Sequence, residues 1–235
     1  ATKRWKITQN HIRDTFIDEY DSSGFRPEFM LTRVYYYEQT NIKEVREDNK
    51  RVNDVIDDFF NPRESSKYYT AKDHFIEQHK DKLVKKTKKP VLNTIMDDWE
   101  LDWDGSSVEI KKGGFHTHSL LSGVDDSVVL NPNGNIRKAI ERIYGLDTIP
   151  ISLLESEEGL NKVKRDLIDY AIRKRCDFVG KSDKSLDIQS AQEYGRFDGF
   201  KGWKGMVAYV TKTMYNVENI VQVYDYENSQ IFQPT

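Results

Sequence analysis

Apolar residues recur along the chain at two spacings, and the changes between them divide it into helices and strands. Residues 8–20, TQNHIRDTFIDEY, set Ile12, Phe16 and Ile17 at helical spacing, and DSSG at 21–24 closes the segment. Residues 28–37, EFMLTRVYYY, are β-branched and aromatic and predict a strand. Over 41–60 the apolar positions are Ile42, Val45, Val52, Val55, Ile56, Phe59 and Phe60, a long amphipathic helix that NPR at 61–63 stops. A third helix is expected over 70–86 and a strand at 91–96, VLNTIM. SSVEIK (106–111) and GFHTHSLLS (114–122) flank a glycine-rich turn and predict a β-hairpin. Further helices are expected from Asn135 to Gly145, over 155–175, and over 202–216, GWKGMVAYVTKTMYN. Strands and helices follow one another without regular βαβ alternation, so the expected fold class is α+β with an antiparallel sheet and flanking helices.

Composition narrows the class. With 37% hydrophobic and 32% charged residues, the chain suits a soluble protein with a true core and a heavily charged surface. The single cysteine, Cys176, excludes a disulfide framework and a cysteine-based metal site, and fits an intracellular setting. No apolar run approaches the roughly 20 residues that span a bilayer, and ATKRWKITQN at the start lacks the apolar stretch of a signal peptide. No membrane partner is expected. The net charge of −3 argues against a general polyanion binder. Residues 80–90 and 161–175 are basic and 96–104 acidic, each readable as a solvated face.

The candidate chemistry lies in SVEIKKGGFHTHSLL, residues 107–121. His116 and His118 are two apart on a strand and project from one face. In a hairpin turning at Gly113-Gly114, Glu109 lies opposite His118; turning at Lys112-Gly113, it lies opposite His116. Either register brings a carboxylate to the histidine face, a plausible divalent-metal site with open positions. The plainer alternative is two polar residues on an exposed sheet face. Downstream, AYVTK places Tyr209 and Lys212 three apart on a predicted helix, about 60° round its axis. A tyrosine with a pKa of about 10 becomes a useful nucleophile when a metal polarises its target and an ammonium favours the phenolate. The alternative is a packing tyrosine, one of 13, beside a surface lysine.

Taken in order, FMLTRVYYY, a long helix, a His-x-His strand and a helix with Tyr-x-x-Lys resemble the HUH endonucleases. Within them the chain is similar to the rolling-circle replication initiators (Rep proteins) of plasmids and single-stranded DNA viruses. Residues 29–35 match the family's first motif, 115–121 (FHTHSLL) the second and 209–212 (YVTK) the third. Two positions depart from the pattern: Thr117 stands where a hydrophobic residue is usual between the histidines, and Arg33 follows Leu-Thr where the first motif has leucine. Position 213 is Thr and Tyr215 lies about 120° round the helix from Tyr209, so one nucleophile is expected.

The resemblance implies an HUH palm with its metal site on a central strand. It implies nicking and joining of single-stranded DNA at a replication origin through a 5′-phosphotyrosine, to start rolling-circle replication. Tyr209 would attack, Lys212 assist, and His116, His118 and Glu109 hold Mg²⁺ or Mn²⁺. A host polymerase and helicase are the implied partners. The whole chain, 1–235, is expected to be one endonuclease domain: a helical extension (1–24), a catalytic core (25–218) and a tail (219–235). No helicase domain is expected, and GKS at 180–182 is no Walker loop because Arg175 stands where its first glycine belongs.

Two rivals use the same residues. Glu109-x-Lys111 with Asp97, Asp98, Asp102 and Asp104 upstream resembles the Asp…Glu-x-Lys core of restriction-type nucleases, which cut by metal-dependent hydrolysis without an adduct. A non-catalytic module would bind single-stranded nucleic acid through aromatic stacking and basic segments. His74 and His79 are read as ordinary surface residues, and His11 is uninformative.

Overall fold

The computed structural model describes residues 2–34, 42–60, 91–97, 116–132, 134–145, 149–179, 185–212, 214 and 224–229. At its centre is a four-stranded antiparallel sheet of β1 (Phe29–Val34), β2 (Val91–Asp97), β3 (His116–Ser122) and β4 (Leu186–Ser190), in the order β2-β3-β1-β4. Among the described residues, five longer helices accompany it: α1 (Thr2–Ser23), α2 (Ile42–Phe60), α3 (Gly134–Tyr144), α4 (Glu157–Arg175) and α5 (Gly202–Val210). A two-stranded hairpin of β5 (Arg196–Phe197) and β6 (Phe200–Lys201) leads directly into α5. The architecture is α+β, as the sequence predicts.

Strand alternation divides the sheet between two cores. Phe29 and Leu31 of β1, Leu121 of β3 and Ile188 of β4 pack with Val52, Ile56 and Phe60 of α2 and with Leu167, Ile168 and Ile172 of α4. Met30 and Leu120 face the other way and meet Phe16 and Tyr20 of α1, Met206, Val207 and Val210 of α5, and Tyr224. The heptad-like apolar positions of α2 account for its placement: Val45, Val52, Val55, Ile56, Phe59 and Phe60 are all buried.

Helix α4 is terminated as its sequence dictates. Ser156 accepts a hydrogen bond from the Gly159 N–H at 3.0 Å, with Glu157 and Glu158 in the first turn and Arg173, Lys174 and Arg175 in the last. This helix contains the basic segment 161–175. Its charges are engaged locally: Lys162 meets Asp166 at 2.8 Å, Arg173 meets Asp169 at 2.8 Å, and the buried Lys164 meets Asp126 at 2.7 Å.

One expectation, the neighbour of the histidine strand, is corrected by the ladder. Strand β3 is paired along its whole length on both sides, with β1 and with β2. His116 stands opposite Val34 and Asp97, and His118 opposite Thr32 and Ile95. Over 116–122 both edges of β3 are taken by β1 and β2, in place of the hairpin partner expected from 106–111; residues 106–111, Glu109 among them, lie outside the described residues. Helix α1 and residues 224–229 contribute to the buried interior: Phe16, Ile17 and Tyr20 are buried, as are Tyr224, Asp225 and Ser229. The helix expected over 70–86 lies outside the described residues.

The two departures from the family pattern prove to be neighbours. Arg33 and Thr117 are cross-strand partners in β1 and β3, both buried, on the face opposite the histidines. Arg33 donates to Asn49 Oδ1 of α2. Asn49 Nδ2 in turn donates to Asp225 Oδ2 at 2.9 Å, and Asn228 Nδ2 donates to the same oxygen at 2.7 Å. A polar seam thus replaces apolar packing at this point and ties β1 and α2 to residues 225–228.

Candidate active site

His116 and His118 share the face of β3 that Leu120 carries into the core beneath α1 and α5. Their rings meet edge to face, with centroids 4.9 Å apart at 88°. His118 is buried at 2% exposure, while His116 is half-buried. From β1, Thr32 Oγ1 lies 3.0 Å from His118 Nδ1. This contact brings the first sequence motif to the second. When Nδ1–H donates to Thr32, the ring's lone pair is on Nε2, the nitrogen a metal would take.

Helix α5 covers this face and supplies Tyr209. Its ring lies 5.1 Å from that of His118 at 80°, and on its other flank 5.3 Å from that of Phe197 at 81°. Lys212 Nζ stands 4.0 Å from the Tyr209 ring centroid. The helix expected over 202–216 is shorter and ends at Val210. There Thr211 Oγ1 turns back and donates to Val207 O at 2.8 Å, and the Lys212 N–H donates to Tyr209 O at 3.2 Å. Lys212 therefore reaches Tyr209 through the turn after the helix, not through helical spacing. Tyr215 lies outside the described residues.

A second phenol, Tyr194, approaches α5 at Gly205. Burial first, and then repulsion from Tyr209, push its pKa up to about 12. Tyr194 is thus harder to ionise than an ordinary tyrosine. Gly205 is required for this packing: a Cβ there would stand 2.8 Å from the Phe200 carbonyl oxygen and 3.2 Å from the Tyr194 ring. Gly205→Ala gains about 1 kcal/mol of helix propensity but overpacks this contact, which costs roughly 1–3 kcal/mol. A lowered melting temperature is the expected outcome, measured by circular dichroism. An unchanged or raised one would show that α5 is free to move off the hairpin.

The hairpin is a feature that reading the sequence missed, although FDGF carries its signal. Asp198 and Gly199 both take positive φ, 48° and 85°, as an Asp-Gly turn between two-residue strands requires. Thr32, which contacts His118, lies within the first motif at 29–35, whereas Phe197, which packs on Tyr209, had no signal of its own.

Two imidazoles on one face could hold a divalent ion with open positions. Among the described residues, no third His, Cys, Asp or Glu side chain joins them. The ladder sets the Asp97 backbone opposite His116; its side chain lies outside the described residues, as do Glu109, Lys111, Asp98, Asp102 and Asp104. Among the described residues, no helix is long and apolar enough to cross a membrane. In comparisons with protein-family models, curated proteins and solved structures, nothing matches the chain.

Proposed function

We propose that the protein is a metal-dependent single-stranded DNA endonuclease and strand transferase of the rolling-circle initiator type, with an HUH palm. One observation carries this: β3 and α5, far apart in the chain, bring His116, His118, Tyr209 and Lys212 into one continuous run of ring and charge contacts. The position of the histidines on an inner strand of an antiparallel sheet supports the same conclusion.

In this reaction Tyr209 Oη attacks the scissile phosphorus. The Oη–P bond forms as the P–O3′ bond breaks; the phenol loses its proton and the departing O3′ gains one. The product is a 5′-phosphotyrosine and a free 3′-hydroxyl for a host polymerase to extend, with a helicase opening the duplex ahead. Because the phosphotyrosine conserves the ester, a later 3′-hydroxyl can reverse the step and join the strand. Lys212 offers a positive charge beside the phenolate. His116 and His118 would hold Mg²⁺ or Mn²⁺, with Asp97 or Glu109 as the carboxylate candidates. When bound, such an ion polarises a non-bridging phosphate oxygen. Thr32 orients His118.

The test is incubation with labelled single-stranded DNAs and Mn²⁺, followed by a denaturing gel. A slow-migrating band is expected that survives denaturation, disappears with a chelator and is strongly reduced in His116→Ala, a half-buried position. Cleavage without an adduct that is lost in Glu109→Ala would point instead to the hydrolytic nuclease. Binding with neither cleavage nor adduct would point to the non-catalytic module.

A further inference from the structure

The β5–β6 hairpin carries a charge arrangement that folding alone does not favour. Arg196 and Lys201 are direct cross-strand partners, both exposed, and like charges so placed destabilise a ladder. Neither forms an ion pair among the described residues, whereas Arg13, Arg26, Lys164, Arg165 and Arg173 each meet a carboxylate. The one acid at the turn, Asp198, is taken by Arg13 of α1, whose guanidinium also lies 4.8 Å from the Phe200 ring centroid.

The hairpin is held rigidly beside the candidate nucleophile. Phe197, next to Arg196, packs on the Tyr209 ring at 5.3 Å, and the Phe200 carbonyl abuts Gly205 of α5. Because residues alternate along a strand, Phe197 and Phe200 turn toward the protein while Arg196 and Lys201 turn outward. Immediately following, Trp203 is only half-buried, with the Arg26 guanidinium 5.6 Å and the Lys204 ammonium 5.5 Å from its ring. Two unpaired cations, then an accessible aromatic ring with further cations at its face, match the two features of a single strand: backbone phosphates and stackable bases.

We propose that Arg196 and Lys201 clamp the phosphates flanking the one at Tyr209 in a single DNA strand, with Trp203 offering a surface for a base. This rests on the site reading above for its substrate and direction, but its test does not require cleavage. With a net charge of −3 over the chain, a local cationic patch of this kind favours a strand's dwelling at the site.

The experiment is fluorescence anisotropy of a labelled oligo(dT) with chelator present, over a range of salt concentrations, for the wild type and Arg196→Gln/Lys201→Gln. Each lost phosphate contact removes about 0.7 from the slope of log affinity against log salt. The double variant should therefore show a slope shallower by about 1.4 and weaker binding at low salt. Its melting temperature should be unchanged or raised, because a repulsive pair has been removed. An unchanged slope, no oligo(dT) binding by the wild type, or a markedly lowered melting temperature would each overturn the clamp. Adduct formation with an unchanged slope would remove the clamp and keep the transesterase. A hairpin-dependent slope with no adduct on any DNA would keep the clamp and remove the transesterase.

Discussion

Tyr209→Phe should leave folding and oligonucleotide binding intact and lower strand cleavage by on the order of a thousandfold or more, the scale on which removing a covalent nucleophile acts. The substitution deletes one oxygen. The ring that packs on His118 at 5.1 Å and on Phe197 at 5.3 Å remains, as does the surface beneath the Lys212 ammonium. A loss of activity would thus be chemical and not the result of a collapsed site. Tyr194, the neighbouring phenol, stays disfavoured as a substitute in this variant, since its burial, the larger cause of its raised pKa, remains when the Tyr209 hydroxyl is gone. Single-turnover cleavage of a labelled strand, with anisotropy as the binding control, measures both. Cleavage at the wild-type rate by the Phe variant would assign the reaction to another group.

The second large effect is on stability. Asp225→Ala removes a fully buried carboxylate that accepts from Asn49 at 2.9 Å and from Asn228 at 2.7 Å. Charge-assisted hydrogen bonds contribute about 1.5–3 kcal/mol each, and orphaning a buried polar group costs about 1–3 kcal/mol. Because the two bonds share one acceptor, their losses are not additive; a destabilisation of about 2–4 kcal/mol is expected in urea denaturation. The damage extends beyond residues 225–228, because Asn49 also accepts from Arg33 behind the histidine strand. The variant's melting should lower adduct yield on heating before it alters the reaction at low temperature. A loss below 1 kcal/mol would mean that the seam is solvated and contributes little.

The elements legible in the sequence were those whose signal is local. Helix α2 declared itself through Val45, Val52, Val55 and Ile56, because periodicity of a long amphipathic helix depends on nothing outside it, and α4 falls within the helix expected over 155–175. The histidine strand and the tyrosine helix were legible for the same reason, with His-x-His fixed to one face by strand alternation. Pairing was not. The Gly113-Gly114 signal suggested a neighbour for β3 close in sequence, yet β2 takes that edge across residues 98–115. Strand order depends on long-range burial that no local window contains.

The same limit hid the seam. Arg33 and Thr117 each departed from the expected pattern, and only the register shows that they are opposite one another. Strand β4, Leu186–Ser190, escaped notice because five residues with buried Leu186 and Ile188 are too few to separate from a short helical stretch. The end of α5 at Val210 was missed because its apolar run continues through Met214, while the back-bonding of Thr211 competes locally with the helix.

The most direct measurement is isolation of the denaturation-resistant protein–DNA species formed with Mn²⁺, nuclease trimming, proteolysis and mass spectrometry of the nucleotide-bearing peptide. A phosphodiester on Tyr209, joined to the 5′ side of the cleaved strand, is the expected result. The nucleotide on Tyr194, Tyr215 or any residue other than Tyr209 would contradict the site described here.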